Sequence, residues 1–380
     1  MAAALSITGS GVVASAPAMF SAAVRSPEAI VVAFSTVADG WPGGEVRVVR
    51  SFDGGREWTA PVTVARPREG EASVLGALGM VRLTDGTVLL PYNGVHWTLG
   101  MGTAGRRLSL NLACSRDGGE TFETGDPIDV DFFWPAVYGQ ILELDDGELL
   151  WPIWGRQTES EKWRAVVLSS TSAGSEWRVK STIAFDAHAR LHGTYVETGD
   201  TGAEVGADTQ ESTHDPGFRP HDPTDGVTET TVCELADGSL LAVMRQQGVG
   251  GDQALTFIAS RSLDRGETWS DYELLAFSGM SPALWRLPDG QLLLASRRHA
   301  PEESGIEPGV EVRLGTADGK HWESPITLEQ PDGRRPASEY QCGYPAIVPG
   351  GTPDAVLVVF YGFDEDTGRY LAWNEVTLRP

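Results

Sequence analysis

An eight-residue pattern, S-x-D-x-G-x-x-W, recurs along the chain and limits its fold more than any other feature. It stands as Ser51-Phe-Asp-Gly-Gly-Arg-Glu-Trp58, as Ser115-Arg-Asp-Gly-Gly-Glu-Thr-Phe122 and as Ser262-Leu-Asp-Arg-Gly-Glu-Thr-Trp269. Ser170-Thr-Ser-Ala-Gly-Ser-Glu-Trp177 keeps the frame with Ser172 in the Asp position, and Thr316-Ala-Asp-Gly-Lys-His-Trp322 is one residue short. The pattern has the chemistry of a tight hairpin. A short Asp accepts hydrogen bonds from turn amides, Gly supplies positive φ, and the aromatic folds back over the turn. One copy would mark only a turn, whereas five imperfect copies mark a repeat architecture.

A second signal runs in phase with the first. Apolar segments joined by short turns occur at Ala22–Phe34, Met80–Tyr92, Gln140–Ile153, Thr231–Met244, Ala283–Ala295 and Ala346–Phe360. Four of these turns contain Asp-Gly, the strongest short-range hairpin signal: Thr84-Asp-Gly86, Asp145-Asp-Gly147, Ala236-Asp-Gly238 and Pro288-Asp-Gly290. The first five hairpins are each followed by one boxed turn. The fold class this implies is all-β: a six-bladed β-propeller of four-stranded antiparallel blades, spanning 1–380 as one domain. In each blade an Asp-Gly-type turn joins two inner strands and the box joins two outer strands. Arg369–Leu378 and Ser6–Val13 are expected to complete the last blade and close the ring, which removes free sheet edges. The stretch from about 186 to 226, rich in Gly, Asp, Thr and Pro, breaks the rhythm and reads as a long loop insertion.

Composition narrows the function. The net charge of −24 argues against a nucleic-acid partner, which needs a basic face, and against an anionic membrane surface. No apolar run reaches spanning length. Cys114, Cys233 and Cys342 form neither a disulfide framework nor a zinc pattern and read as buried small apolar residues. Residues 1–18 are Ala-rich and contain Ala14-Ser-Ala16, but lack a basic leader and are interrupted by Gly9-Ser-Gly11. They read as a first strand, with a cytoplasmic location expected.

Residues at one phase of the repeat should share one rim of a propeller. Seven residues past the turn glycines stand Asn93, Trp154, Arg245 and Arg297. Just ahead of the first inner strands stand Tyr138, Glu229, Ser281 and Tyr344. Together they make a candidate polar pocket. His188, His192, His214 and His221 lie in the long insertion beside Asp208, Asp215, Asp222 and Asp225, without the fixed spacing of a metal site, so no metal is expected.

The repeated boxes in a six-bladed frame resemble the sialidase (neuraminidase) superfamily of BNR, or Asp-box, propellers, over nearly the whole chain. The most specific match is Thr228-Glu229-Thr-Thr-Val-Cys-Glu-Leu-Ala-Asp-Gly-Ser-Leu-Leu-Ala-Val-Met-Arg245. The resemblance implies an exo-acting glycoside hydrolase on a terminal, acidic sugar of a glycan, without a cofactor. In that reading Tyr344, in Gln341-Cys-Gly-Tyr344-Pro, is the nucleophile, Glu229 its base and Arg245 a substrate clamp. Asp39, in Thr36-Val-Ala-Asp39-Gly-Trp41, is the candidate acid. The chain departs from the family at the first arginine of its three-arginine clamp, where Met19 stands. For the third arginine, Arg297, Arg298 and Arg313 are all candidates. His96 and His299 follow inner strands on the pocket side and, with Tyr344, would suit the alternative of a lyase or unusual hydrolase on uronate or rhamnose glycans. A non-catalytic glycan-binding propeller is the third alternative.

Overall fold

The computed structural model describes residues 4–15, 17–37, 41–76, 78–97, 106–158, 162–185, 226–247, 256–300, 304–333 and 336–379. Their strands form six antiparallel sheets arranged as the blades of a propeller, with no α-helix among the described residues. Blade 1 runs Met19–Arg25, Ile30–Ser35, Val46–Ser51 and Val62–Ala65 from the axis outward. Blade 4 repeats this as Gly226–Glu234, Leu240–Gln247, Thr256–Ser262 and Glu273–Ser278. Blade 5 is Met280–Arg286, Leu292–Arg297, Val310–Gly315 and Ile326–Thr327. In blades 2 and 3 the innermost strand runs in two pieces, so each of these sheets counts five strands. Blade 6 joins the two ends of the chain: Gly343–Pro349, Ala355–Asp364 and Gly368–Arg379 are completed by Ala4–Ala14, paired antiparallel to the C-terminal strand. The expected ring closure is therefore present.

Burial follows position in the blade. The second strands Ile30–Ser35 and Leu292–Arg297 are buried at every residue, because neighbouring blades cover both faces, while the outer strand Arg178–Ala184 is largely open. The apolar clusters accordingly lie between blades. One joins Leu293, Val312 and Phe360 across blades 5 and 6, and another joins Leu150, Val167, Leu240 and Ile258 across blades 3 and 4.

The boxed turns hold the blades in order. The Ser51 hydroxyl donates to Asp53 at 2.8 Å and accepts the Gly55 amide at 2.8 Å, and Asp53 accepts the Arg56 and Glu57 amides at 3.0 Å each. The Trp58 indole donates back to the Gly55 carbonyl at 2.9 Å. Where Ser172 replaces Asp, its hydroxyl accepts the Glu176 amide at 2.9 Å, and the Trp177 bond to Gly174 is kept at 2.9 Å. The turn glycine also docks the box. A β-carbon would lie 3.2 Å from Leu357 at Gly55, 2.8 Å from Val31 at Gly119, 3.2 Å from Leu89 at Gly174, and 2.6 Å from Leu241 at Gly319. Each of those residues belongs to the second strand of the preceding blade, and for Gly55 that blade is the sixth. A side chain there would push two blades apart.

Candidate active site

Four innermost strands carry the same distortion at the same place. Register shifts fall at Met19/Ala22, Thr228/Thr231, Met280/Ala283 and Gly343/Ala346, in blades 1, 4, 5 and 6. Inside each bulge one non-glycine residue has positive φ: Phe20 at 54°, Glu229 at 49°, Ser281 at 54° and Tyr344 at 48°. Such values are rare for bulky side chains and store strain, and bulges of this kind turn a side chain out of its regular direction. Here the four side chains gather at the axis. The Phe20 ring meets the Tyr344 ring edge-on at 4.6 Å, the Tyr344 hydroxyl donates to Glu229 Oε1 at 3.2 Å, and the Ser281 amide donates to Glu229 Oε2 at 2.8 Å. The Ser21 hydroxyl holds the Tyr344 carbonyl at 2.9 Å, tying blade 1 to blade 6 at this point.

The second strands supply the next set. Arg245 pairs in register with Thr228, Arg297 with Met280 and Tyr361 with Gly343, so these three occupy one position in blades 4, 5 and 6. Arg245 Nη1 lies 3.2 Å from Glu229 Oε1. Arg297 is 6% exposed and sits over the Tyr344 ring at 5.3 Å, with Tyr340 and Tyr361 at 5.8 and 5.9 Å. Its Nη2 donates to the Tyr361 hydroxyl at 3.0 Å, and that hydroxyl donates to the Tyr340 carbonyl at 3.1 Å. The Nε groups of both Arg245 and Arg297 are buried without a hydrogen-bond partner among the described residues. Burial works against the charge on Arg297, but Tyr361, Tyr344 and Glu229 outweigh it and hold the guanidinium above its usual pKa. Gly343 makes this approach possible, since a β-carbon on it would stand 2.5 Å from Arg297 Nε.

Tyr138 completes the aromatic surround, its ring 6.1 Å from that of Tyr344 and its hydroxyl donating to the Pro282 carbonyl at 3.2 Å. Burial, with Glu229 and Tyr344 adding to it, pushes the Tyr138 phenol well above the ordinary tyrosine range, so it stays neutral. Beside this cluster lies a cavity of about 60 Å³ lined by Leu78, Tyr138, Pro282 and Tyr344 among others. A larger groove of about 440 Å³ opens at the turn ends of blades 5 and 6, between Asp289 and Thr352, away from the Tyr344–Glu229 pair.

Several residues singled out in the sequence stand elsewhere. Asn93 joins blades 2 and 3: its amide donates to the Ser109 and Pro135 carbonyls at 3.0 and 2.9 Å and accepts the Val137 amide at 3.0 Å. Trp154 packs in a triangle of indoles with Trp134 and Trp163, at 5.1 Å from each. Arg298 and Arg313 converge on Glu311, at 3.0 and 2.7 Å, in the outer part of blade 5. His96 contacts the Gly70 carbonyl at 3.1 Å and Glu71 at 3.7 Å. His299 lies 3.2 Å from Glu339, whose carboxylate also accepts the Ala300 amide at 2.7 Å. Burial would raise the Glu339 pKa, but these two bonds outweigh it and the group is held below the usual carboxylate value. Asp39 and the His- and Asp-rich stretch 186–225 lie outside the described residues. Sequence reading missed Phe20, Glu339, Tyr340 and Tyr361. Tyr361 was reachable by register, but blade 6 turns through Pro349–Pro353 without an Asp-Gly from which to count.

A six-bladed ring built on boxed turns, with a tyrosine–glutamate pair and arginines at its axis, defines a sialidase-like propeller. The family model for the BNR repeat-like domain matches residues 27–356, and the chain belongs to that family. A search of curated proteins by sequence finds no match. Among solved structures, a Dyadobacter fermentans protein of unknown function superposes with a TM-score of 0.75 at 19% identity, over 99% of both chains. The NanB sialidase of Streptococcus pneumoniae gives 0.63 at 12% identity, over 98% of this chain and 70% of its own. A Hadza microbial sialidase gives 0.62 at 14% identity, over 94% of this chain and 65% of its own. At these identities the likeness is one of fold.

Proposed function

We propose that the protein is an exo-acting glycoside hydrolase that removes a terminal acidic sugar from a glycan, with Tyr344 as nucleophile and Glu229 as its base. The observation that carries this reading is the 3.2 Å hydrogen bond from the Tyr344 hydroxyl to a carboxylate that is itself fixed by Ser281 and Arg245. A neutral phenol is a weak nucleophile unless an adjacent base takes its proton. In the first step the phenolic O–H proton passes to Glu229 as the tyrosine oxygen bonds to the anomeric carbon. The bond from that carbon to the leaving oxygen breaks, and an acid protonates the departing group, the role for which Asp39 is the candidate. Water then opens the glycosyl–tyrosine bond: its oxygen bonds to the anomeric carbon while the acid of the first step, now a carboxylate, takes the water proton, and Glu229 returns its proton to the departing phenolate. A tyrosine repels an anionic sugar less than a carboxylate nucleophile would. The acidic group is assigned to Arg245 and Arg297, whose buried Nε donors have no hydrogen-bond partner among the described residues and would gain one from an anion.

The test is a turnover screen on methylumbelliferyl sialoside and on oligosaccharides ended by uronates or deoxysugars, with wild type and Tyr344→Phe side by side. Hydrolysis that is lost in Tyr344→Phe is the expected result. A product with the ultraviolet absorbance of an unsaturated uronate would replace hydrolysis by elimination. Equal rates for wild type and Tyr344→Phe would end the nucleophile assignment.

A further inference from the structure

Beside the axis, one aromatic ring is held at the surface rather than packed away. Tyr340 is 36% exposed, yet the turn that carries it is held by hydrogen bonds to its neighbours. It lies in the 3-10 turn Glu339–Gln341, directly ahead of the strand that carries Tyr344. The buried Glu339 carboxylate fixes that turn through the Ala300 amide at 2.7 Å and His299 at 3.2 Å. The Gln341 side chain accepts the Ala337 amide at 2.6 Å, and the Tyr340 carbonyl accepts the Tyr361 hydroxyl at 3.1 Å. Its ring faces the Arg297 guanidinium at 5.8 Å, and the same guanidinium covers Tyr344 at 5.3 Å. Phe52 in one boxed turn and Leu263 in another are also exposed, but at the outer ends of blades, where single exposed side chains are ordinary.

We propose that Tyr340 is the platform for the sugar next to the one cleaved, making a second subsite that binds a neutral pyranose by stacking on its C–H face. The inference rests on the hydrolase reading of Tyr344 and deepens it. A rigid, partly exposed tyrosine offers a large contact area at little entropic cost, and its backbone anchorage means that no loop has to order when the glycan binds. Arg297 links the two subsites, holding the Tyr340 ring on one side and the Tyr344 ring on another. The site would therefore favour oligosaccharides over glycosides with a small leaving group.

The experiment compares sialyllactose with methyl sialoside, and a glucuronate-capped disaccharide with methyl glucuronoside, on wild type, Tyr340→Phe and Tyr340→Ala. Because one stacked ring contributes a modest amount, kcat/KM for the oligosaccharide in Tyr340→Ala should fall about 3- to 10-fold further than that for the methyl glycoside, with Tyr340→Phe near wild type. Equal losses on both substrates, or none, overturn the subsite. Wild type that turns over methyl glycosides and oligosaccharides equally well also overturns it while leaving the Tyr344–Glu229 assignment intact. If nothing is turned over, the hydrolase reading fails, and saturation-transfer NMR with the same oligosaccharides decides the subsite alone. Transfer lost in Tyr340→Ala supports it, and no transfer, or equal transfer, rejects it.

Discussion

Replacing Glu229 by glutamine should destabilise the fold, and a second substitution should undo much of the damage. Glu229 is 3% exposed, accepts from the Tyr344 hydroxyl and the Ser281 amide, and forms an ion pair with Arg245 at 3.2 Å. Glutamine keeps the shape but leaves the Arg245 charge without its counter-ion. Breaking a buried pair in this way costs about 3–5 kcal/mol, and the Arg245 side chain, 17% exposed, places this case near 3 kcal/mol. Arg245→Met removes the other partner, but the carboxylate retains Tyr344 and Ser281, so its cost should be about 1–3 kcal/mol. In Glu229→Gln/Arg245→Met the Arg245 charge is removed together with its partner, and the lost attraction between Glu229 and Arg297 is common to the single and the double variant. The double variant should therefore be more stable than Glu229→Gln alone, with a coupling energy of at least about 1.5 kcal/mol. Equilibrium unfolding in urea, followed by tryptophan fluorescence, measures all four proteins. Losses that add within about 0.5 kcal/mol would show that the two groups do not share one buried electrostatic site, and would refute the reasoning.

Other consequences can be checked on the same preparations. In Gly343→Ala the new β-carbon would stand 2.5 Å from Arg297 Nε, at a backbone φ of +143°; thermal unfolding should report a loss of about 1–3 kcal/mol, and KM for an acidic substrate should rise. Bonds from Thr268 and Ser262 hold Asp264 at a pKa of about 2, and at Asp117 burial acts upward but bonds from Thr121 and Ser115 outweigh it, again giving about 2. Because these folded values lie below the unfolded value of about 3.9, the stability they add is complete above that pH and disappears as pH falls towards 2. Asp117→Asn/Asp264→Asn should flatten that part of an acid-unfolding curve, and an unchanged curve would contradict the turn assignment. For catalysis, Glu229→Gln should lower kcat by about 10²- to 10⁴-fold on any substrate that Tyr344 attacks. The same substitution made in Tyr344→Phe should have little further effect, since the base then has no proton to take.

The fold was legible because its two signals are local. Each boxed turn closes through side chains within eight residues of one another, and each Asp-Gly turn fixes the register of the hairpin around it. Counting from those turns placed Glu229, Ser281, Arg245 and Arg297 at common positions in blades 4 and 5, which the register confirms. The same counting put Asn93 and Trp154 at the arginine phase, yet phase fixes only the backbone position. Asn93 turns to the carbonyls of blade 3, and Trp154 finds two other indoles, because the neighbours in blades 2 and 3 offer those partners. Arg298, one residue beyond Arg297, points outward to Glu311 because side chains alternate along a strand. Glu339 and Tyr340 left no periodic trace, as they act from a three-residue turn whose partners lie in blades 5 and 6.

The bulges explain why a pocket of this kind can persist in a ring that is otherwise regular. A regular inner strand would send Glu229 and Tyr344 into the interfaces between blades, where a carboxylate has no place. Positive φ turns both towards the axis, and the strain is held by bonds that only the assembled ring can make: Ser21 of blade 1 to Tyr344 of blade 6, and Ser281 of blade 5 to Glu229 of blade 4. In blade 1 the same bulge delivers Phe20, next to Met19, at the place where the sialidase resemblance calls for an arginine. The apolar ring there buries one side of Tyr344, and among the described residues the arginines set against the Tyr344–Glu229 pair, Arg245 and Arg297, come from blades 4 and 5. An acidic sugar bound here would have to turn its carboxylate towards Arg245 and Arg297. Placing arginine at position 19 or 20 is then a direct way to ask whether that orientation sets the choice of substrate.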